Sequence, residues 1–192
     1  IVIEVRYHDA DVLYNDNVVT AKLRKGLKMI CNQAVFPNDK VVLIKKDNEY
    51  LIQNLLNRTS LLSRTKKDST RLDGNGLTKN IAANIDIAVI VVSTKEPPLH
   101  SKFIDRYLLI LENSKIKPII CLNKSDLKTN EEEILDIYRK LNILVIETST
   151  YLNTGIQELK QCLKNKQAIF IGNSGVGKSS LINAIMNENE IK

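Results

Sequence analysis

No stretch of this 192-residue chain approaches the roughly 18–20 uninterrupted apolar residues that cross a bilayer. Its apolar runs, such as IAVIVV at residues 87–92, have the length of strands, so no membrane partner is expected. The chain starts at Ile1 without an initiator Met and has no basic-then-apolar leader. Secretion therefore has no support, and a cytoplasmic setting is expected. Both ends are expected to be the edges of a fragment. Cysteine is scarce: Cys31, Cys121 and Cys162 are odd in number and far apart, with neither disulfide nor metal-ligand spacing. That favours a reducing compartment, and each thiol is expected to act as a small buried hydrophobe. Internal repeats and low-complexity tracts are absent too. His8 and His100 stand alone in polar stretches and read as surface residues.

What is present is ordinary globular material, 43% hydrophobic and 26% charged, enough for a real core. The net charge of +6 is uneven. Residues 1–80 hold 14 Lys and Arg against nine Asp and Glu, whereas residues 81–192 are nearly balanced, at 14 against 13. A basic N-terminal part suits a polyanionic partner, because phosphate contacts release counterions. It also suits a solvated face with no partner.

Residues 1–57 read as short strands rich in β-branched and aromatic residues: IVIEVRY, DVLYN, VVTAKL, KVVLIKK and EYLIQNLL. NDN, FPNDK and KDNE between them carry turn chemistry. Five such strands predict a small closed barrel, with the oligonucleotide-binding (OB-fold) type the natural candidate and another five-stranded topology the alternative. Residues 58–84 turn polar and basic, contain DGNG and show no sustained period, which reads as a connector. Its Arg58, Arg64, Lys66, Lys67 and Arg71 are placed to meet phosphates or solvent.

Residues 85–192 alternate strand and helix. IDIAVIVVS, KPIICLN, ILVIETS and QAIFIG read as buried strands. SKFIDRYLLILENS, NEEEILDIYRKL, GIQELKQCLKN and SSLINAIM read as helices. Thr129 with Glu132, and Thr154 with Gln157, are spaced as capping boxes. Apolar strands alternating with helices predict an α/β domain with a mainly parallel sheet.

Three motifs carry chemistry. GNSGVGKS, from Gly172 to Ser179, fits G-x-x-x-x-G-K-[ST] and lies between a strand and a helix. Its glycines let backbone N–H groups turn inward around phosphate oxygens. Lys178 supplies a charge at the outer phosphates, as the catalytic cation, and Ser179 a hydroxyl for Mg²⁺. The second motif, NKSD at residues 123–126, follows a buried strand. There the Asp126 carboxylate is placed to accept hydrogen bonds from guanine N1–H and its amino group. Adenine offers neither donor, so it would leave the carboxylate unpaired. The stem of Lys124 is placed to cover the base, and Asn123 to tie this loop to the phosphate loop. In the third motif, ETST at residues 147–150, Ser149 or a neighbour would present an N–H to guanine O6. The base-reading loops precede the phosphate loop, the reverse of the ordinary GTPase order, which a circular permutation explains.

The barrel, the connector LLSR…IAANID, then CLNKSDL and GNSGVGKSSLINAI resemble the RsgA family, the circularly permuted GTPases of bacterial small-subunit ribosome maturation. The resemblance covers nearly the whole chain and implies GTP hydrolysis activated by the small ribosomal subunit, with the barrel on ribosomal RNA. It implies guanine recognition by Asn123, Lys124 and Asp126 with support from Ser149. Phosphates and Mg²⁺ would be held by Gly172, Asn173, Ser174, Gly175, Val176, Gly177, Lys178, Ser179 and Ser180. The family continues into switch elements and a Zn²⁺-binding domain whose ligands this chain does not contain. The chain is thus expected to be a monomeric N-terminal fragment with negligible turnover alone. The alternatives are an RNA-binding module with a nucleotide-sensing, non-hydrolysing domain, or a different permuted GTPase.

Overall fold

Two tight turns set the register of the N-terminal sheet. Asn15 and Asp16 (φ 49° and 60°), and Asp47 and Asn48 (φ 46° and 66°), take left-handed backbone, the pattern that matches the twist of a two-residue hairpin. They join β2 (Asp9–Tyr14) to β3 (Asn17–Leu23) and β4 (Val41–Lys46) to β5 (Glu49–Leu55). The computed structural model describes residues 1–23, 34–65, 78–127 and 133–187. With β1 (Val2–Val5) the strand order is β1-β2-β3-β5-β4, antiparallel except for the β3–β5 pair. Backbone bonds from Val2 N to Asp39 O (2.8 Å) and from Asn38 N to Val2 O (2.7 Å) join β1 to the lead-in of β4. The sheet thus curls back on itself around Val2, Ala10, Val12, Ala21 and Ile52. All five strands lie where the sequence predicts them.

The chain divides into two compact units, Ile1–Ile85 and Asp86–Lys192. The first therefore takes in residues 58–84. Part of this stretch is not a plain connector: β6 (Leu61–Thr65) and β7 (Thr78–Ala83) pair as an antiparallel ribbon. Asn84 (φ 53°) fastens that ribbon to the barrel. Its Nδ2 donates to Asn38 O (2.9 Å), its Oδ1 accepts from Thr59 N (2.9 Å), and Asn38 Nδ2 donates to Ala83 O (3.1 Å). The ribbon escaped the sequence reading because its strands mix polar and apolar residues without a clear period and pair across a separation too long for a turn signal.

In the second unit, β8 (Ile87–Ser93), β9 (Lys117–Asn123), β10 (Leu144–Glu147) and β11 (Ala168–Ile171) form a parallel sheet in the order β10-β9-β8-β11. Every residue of β8 is buried, as a central strand covered on both faces requires. Alternate residues Ile87, Val89, Val91, Ile119 and Cys121 face α3 (Ile156–Leu163) and α4 (Lys178–Asn187) through Ile156, Leu159 and Leu181. Helix α1 (Ser101–Asn113) packs on β8 and β9, and α2 (Ile134–Lys140) on β10. Tyr138 Oη donates to Asp105 Oδ1 (2.7 Å), tying α2 to α1. Helix α3 starts on Gly155 (φ 70°) with no side-chain cap, not on the Thr154 box. The Thr129–Glu132 box and Cys31 lie outside the described residues.

The chain runs outward through β8, β9 and β10, then returns to place β11 on the other side of β8. Strand order reverses there, and open α/β sheets bind ligands at that point, beyond the carboxyl ends of the strands.

Candidate nucleotide site

Each motif occupies the turn that leaves a strand at this edge. Residues 172–177 leave β11 as an open loop, and α4 begins at Lys178. Gly175 (φ 82°) and Gly177 (φ 91°) take left-handed backbone, which a side chain resists. At Gly177 space forbids a side chain too, since an added Cβ would stand 2.3 Å from Asn123 Nδ2. Val176 is buried and pins the loop to the core. Among the described residues, the amides of Ser174, Gly175 and Gly177 make no hydrogen bond to the protein. Unpartnered donors ahead of a helix N-terminus form an anion cradle. Lys178 Nζ lies across it, donating to Gly172 O (2.9 Å) and Asn173 O (2.7 Å). Ser179 and Ser180 are exposed in the first turn of α4.

Asn123, at the end of β9, is 1% exposed. Its Nδ2 donates to Val176 O in the phosphate loop (2.9 Å), and its Oδ1 accepts from Thr148 Oγ1 (3.2 Å). The Thr148 hydroxyl also lies 3.2 Å from Cys121 Sγ. Burial pushes the Cys121 thiol up to about 12, against a smaller opposing effect of the Thr148 hydrogen bond. Asp126 is exposed on a single 3₁₀ turn, Ser125–Leu127, where its Oδ1 accepts from Ser149 Oγ (2.5 Å). Adjacent hydroxyls after β10 thus hold the two polar side chains of the NKSD loop, Thr148 taking Asn123 and Ser149 taking Asp126. Lys124 has left-handed backbone (φ 59°), and its Nζ donates to Glu96 O.

The third motif leaves open whether Ser149 or a neighbour presents its amide. The amide of Ser149 is committed to Thr154 O (3.1 Å), so it is not open to a base. The Thr150 amide makes no hydrogen bond among the described residues. The contributions of Thr148 and Thr94 escaped the sequence reading. Thr148 stands inside ETST and was within reach of it; Thr94 carried no signal, because its partners lie 29 and 30 residues away.

Among the described residues, Arg6, Lys22 and Arg58 of the first unit are paired with carboxylates. Arg6 pairs with Asp9 and Asp11, and Lys22 with Glu49 (2.6 Å). Arg58, expected to meet phosphates or solvent, instead grips the fully buried Asp39 through Nε and Nη2, both at 2.7 Å. A buried carboxylate demands such a partner. Lys40, Lys45 and Lys46 are exposed. Lys66, Lys67 and Arg71, like Arg24, Lys25 and Lys28, lie outside the described residues. Among the described residues no group of three or more His, Cys, Asp or Glu is placed to hold a metal ion. A depression of about 490 Å³ between α3 and α4 contains none of the motif residues.

A parallel sheet with a glycine-rich loop at its switch point, and the NKSD and ETST loops earlier in the chain, has the architecture of a circularly permuted phosphate-loop GTPase domain. Residues 55–192 match the family described as RsgA GTPase, and the chain belongs to that family. It is 38% identical over 120 residues to the small ribosomal subunit biogenesis GTPase RsgA of Caldanaerobacter subterraneus subsp. tengcongensis, covering 62% of this chain and 41% of that protein. Against the protein of the same description from Borreliella burgdorferi (strain ZS7) it is 40% identical over 152 residues, 78% of this chain and 48% of that one. Among solved structures it is similar to YjeQ from Thermotoga maritima, with a TM-score of 0.76, 29% identity, and coverage of 96% of this chain and 63% of that one. It is also similar to YloQ, a circularly permuted GTPase, with a TM-score of 0.71 and 28% identity over 97% of this chain and 63% of that one. The chain spans less than half the length of these curated relatives.

Proposed function

We propose that the intact protein binds and hydrolyses GTP as a monomeric cytoplasmic factor in late maturation of the small ribosomal subunit, with its N-terminal barrel on ribosomal RNA. The curated relatives, described as small ribosomal subunit biogenesis GTPases, support the setting. The observation that carries the nucleotide reading is Asn123, one buried amide joining the base-reading loop to the phosphate loop.

In this reading the Asp126 carboxylate accepts from guanine N1–H and its amino group, held in aim by Ser149. The Thr150 amide faces O6, and the stem of Lys124 covers the base. The cradle amides and Lys178 bind the phosphates, the lysine turning from its two loop carbonyls to phosphate oxygens. The exposed Ser179 hydroxyl suits Mg²⁺, which when bound neutralises charge on the phosphate oxygens.

The test is binding of fluorescent GDP and fluorescent ADP to the intact protein. GDP is expected to bind at least about 100-fold more tightly, because a site built on hydrogen bonds rejects the analogue lacking them. Asp126→Ala should remove that preference. Lys178→Ala should abolish hydrolysis while RNA binding persists. Equal affinity for the two nucleotides sinks the base assignment.

A further inference from the structure

The turn after β8, residues 94–98, belongs to none of the three motifs, yet it touches two of them. Thr94 is 3% exposed. Its hydroxyl donates to Lys124 O (2.7 Å), and its amide to Asn123 O (3.3 Å). Two residues on, the Glu96 carbonyl accepts from Lys124 Nζ. One residue further, Pro97 Cδ would lie 3.7 Å from a Cβ built on Gly175, and Pro97 O accepts from Ser93 Oγ (2.7 Å). This short strap runs from the base-reading loop to the phosphate loop.

Lys124 is therefore held at both ends. Its backbone sits in a conformation that costs a side-chain-bearing residue energy, and such a conformation persists only where its surroundings over-determine it. Thr94 supplies that constraint by fixing the carbonyl, and Glu96 fixes the ammonium. Between the two anchors the four-carbon stem has little freedom left. A flexible lysine would lose rotamer entropy each time it covered a base; one already stretched between anchors loses little.

We propose that Thr94 is a positioning residue for guanine binding, acting through Lys124. The strap from Thr94 to Pro97 then forms a third wall of the nucleotide site. The inference rests on the reading of NKSD as a guanine loop and adds to it a residue outside every motif. Its effect passes through the backbone carbonyl of Lys124, which its hydroxyl engages.

The experiment compares wild type, Thr94→Val, Thr94→Ser, Lys124→Ala and the Thr94→Val/Lys124→Ala pair in the intact protein. Affinities for GDP, ADP and inorganic pyrophosphate are read by competition with fluorescent GDP, or with a fluorescent phosphate-loop ligand where GDP fails. Thr94→Val removes the hydroxyl at nearly constant shape and is expected to weaken GDP about 5- to 50-fold, the loss of one buried hydrogen bond with its acceptor left unpaired. Pyrophosphate, which needs only the phosphate loop, should bind as in wild type. Thr94→Ser should restore GDP affinity, and in the Lys124→Ala background Thr94→Val should add nothing. Equal losses for GDP and pyrophosphate, equal losses in Thr94→Val and Thr94→Ser, or additive effects with Lys124→Ala would each overturn the proposal while leaving the guanine reading intact. A wild type that binds GDP no better than ADP overturns both.

Discussion

Single side chains in this protein work by being committed. Gly177 is a glycine because Asn123 Nδ2 occupies the place where a Cβ would stand, and because its φ is 91°. Gly177→Ala should cost about 1–3 kcal/mol in backbone strain alone. It should also push Asn123 off Val176 O, the bond that joins the two loops. A fall in melting temperature together with at least about tenfold weaker GDP binding is expected, and a variant matching wild type in both would remove Asn123 as the joint. Arg58 shows the same logic in the barrel. With Asp39 fully buried and Phe36 N also donating to Asp39 Oδ2 (2.7 Å), the guanidinium completes a closed set of bonds and is unavailable to a phosphate.

Strands and helices add a dependence on pH. β9 buries the Cys121 thiol, whose value rises from 9.0 to about 12, and α2 buries the Tyr138 phenol, raised by burial first and then by its bond to Asp105. Both groups hold their protons more tightly folded than unfolded. Their contribution to stability is thus complete below about pH 9 and is lost as the pH climbs through the folded values. Each pH unit in that window costs at most about 1.4 kcal/mol per group. Urea unfolding from pH 8 to 11 should show a falling midpoint, and Cys121→Ala should flatten the fall. A slope unchanged by that substitution would assign the alkaline loss elsewhere. The elements themselves were legible because each repeats a simple period: two for the barrel strands, unbroken apolar runs for β8 and β9, three to four for the helices. The β6–β7 ribbon was not legible, since its few buried apolar residues, Leu62, Ala82 and Ala83, follow no simple period and its anchoring bonds come from Asn84, Asn38 and Ser60.

For the chain entire, charge and contact have to be read together. The basic excess of residues 1–80 suggests an anionic partner, but Arg6, Lys22 and Arg58 are neutralised by carboxylates. RNA affinity should still fall steeply with salt. Arg6→Gln and Lys22→Gln should leave it within about twofold, whereas Lys45→Gln and Lys46→Gln should each lower the salt slope by about one. A flat salt response would remove the barrel as the RNA contact. The linear chain already specified the turns, the periodicities and the Gly-rich loop, because each depends on neighbours within a few residues. It also implied that Asn123 meets the phosphate loop, since both motifs follow strands of one parallel sheet and so share its carboxyl edge. Folding alone assigned partners: Asp39 to Arg58, Thr94 to Lys124, Thr148 to Asn123, and the Ser149 amide to Thr154 rather than to a base. All but the last of these pairs join segments 19 to 30 residues apart. At such distances the winning hydrogen bond is set by burial and strand register, neither of which is written in any short stretch of residues.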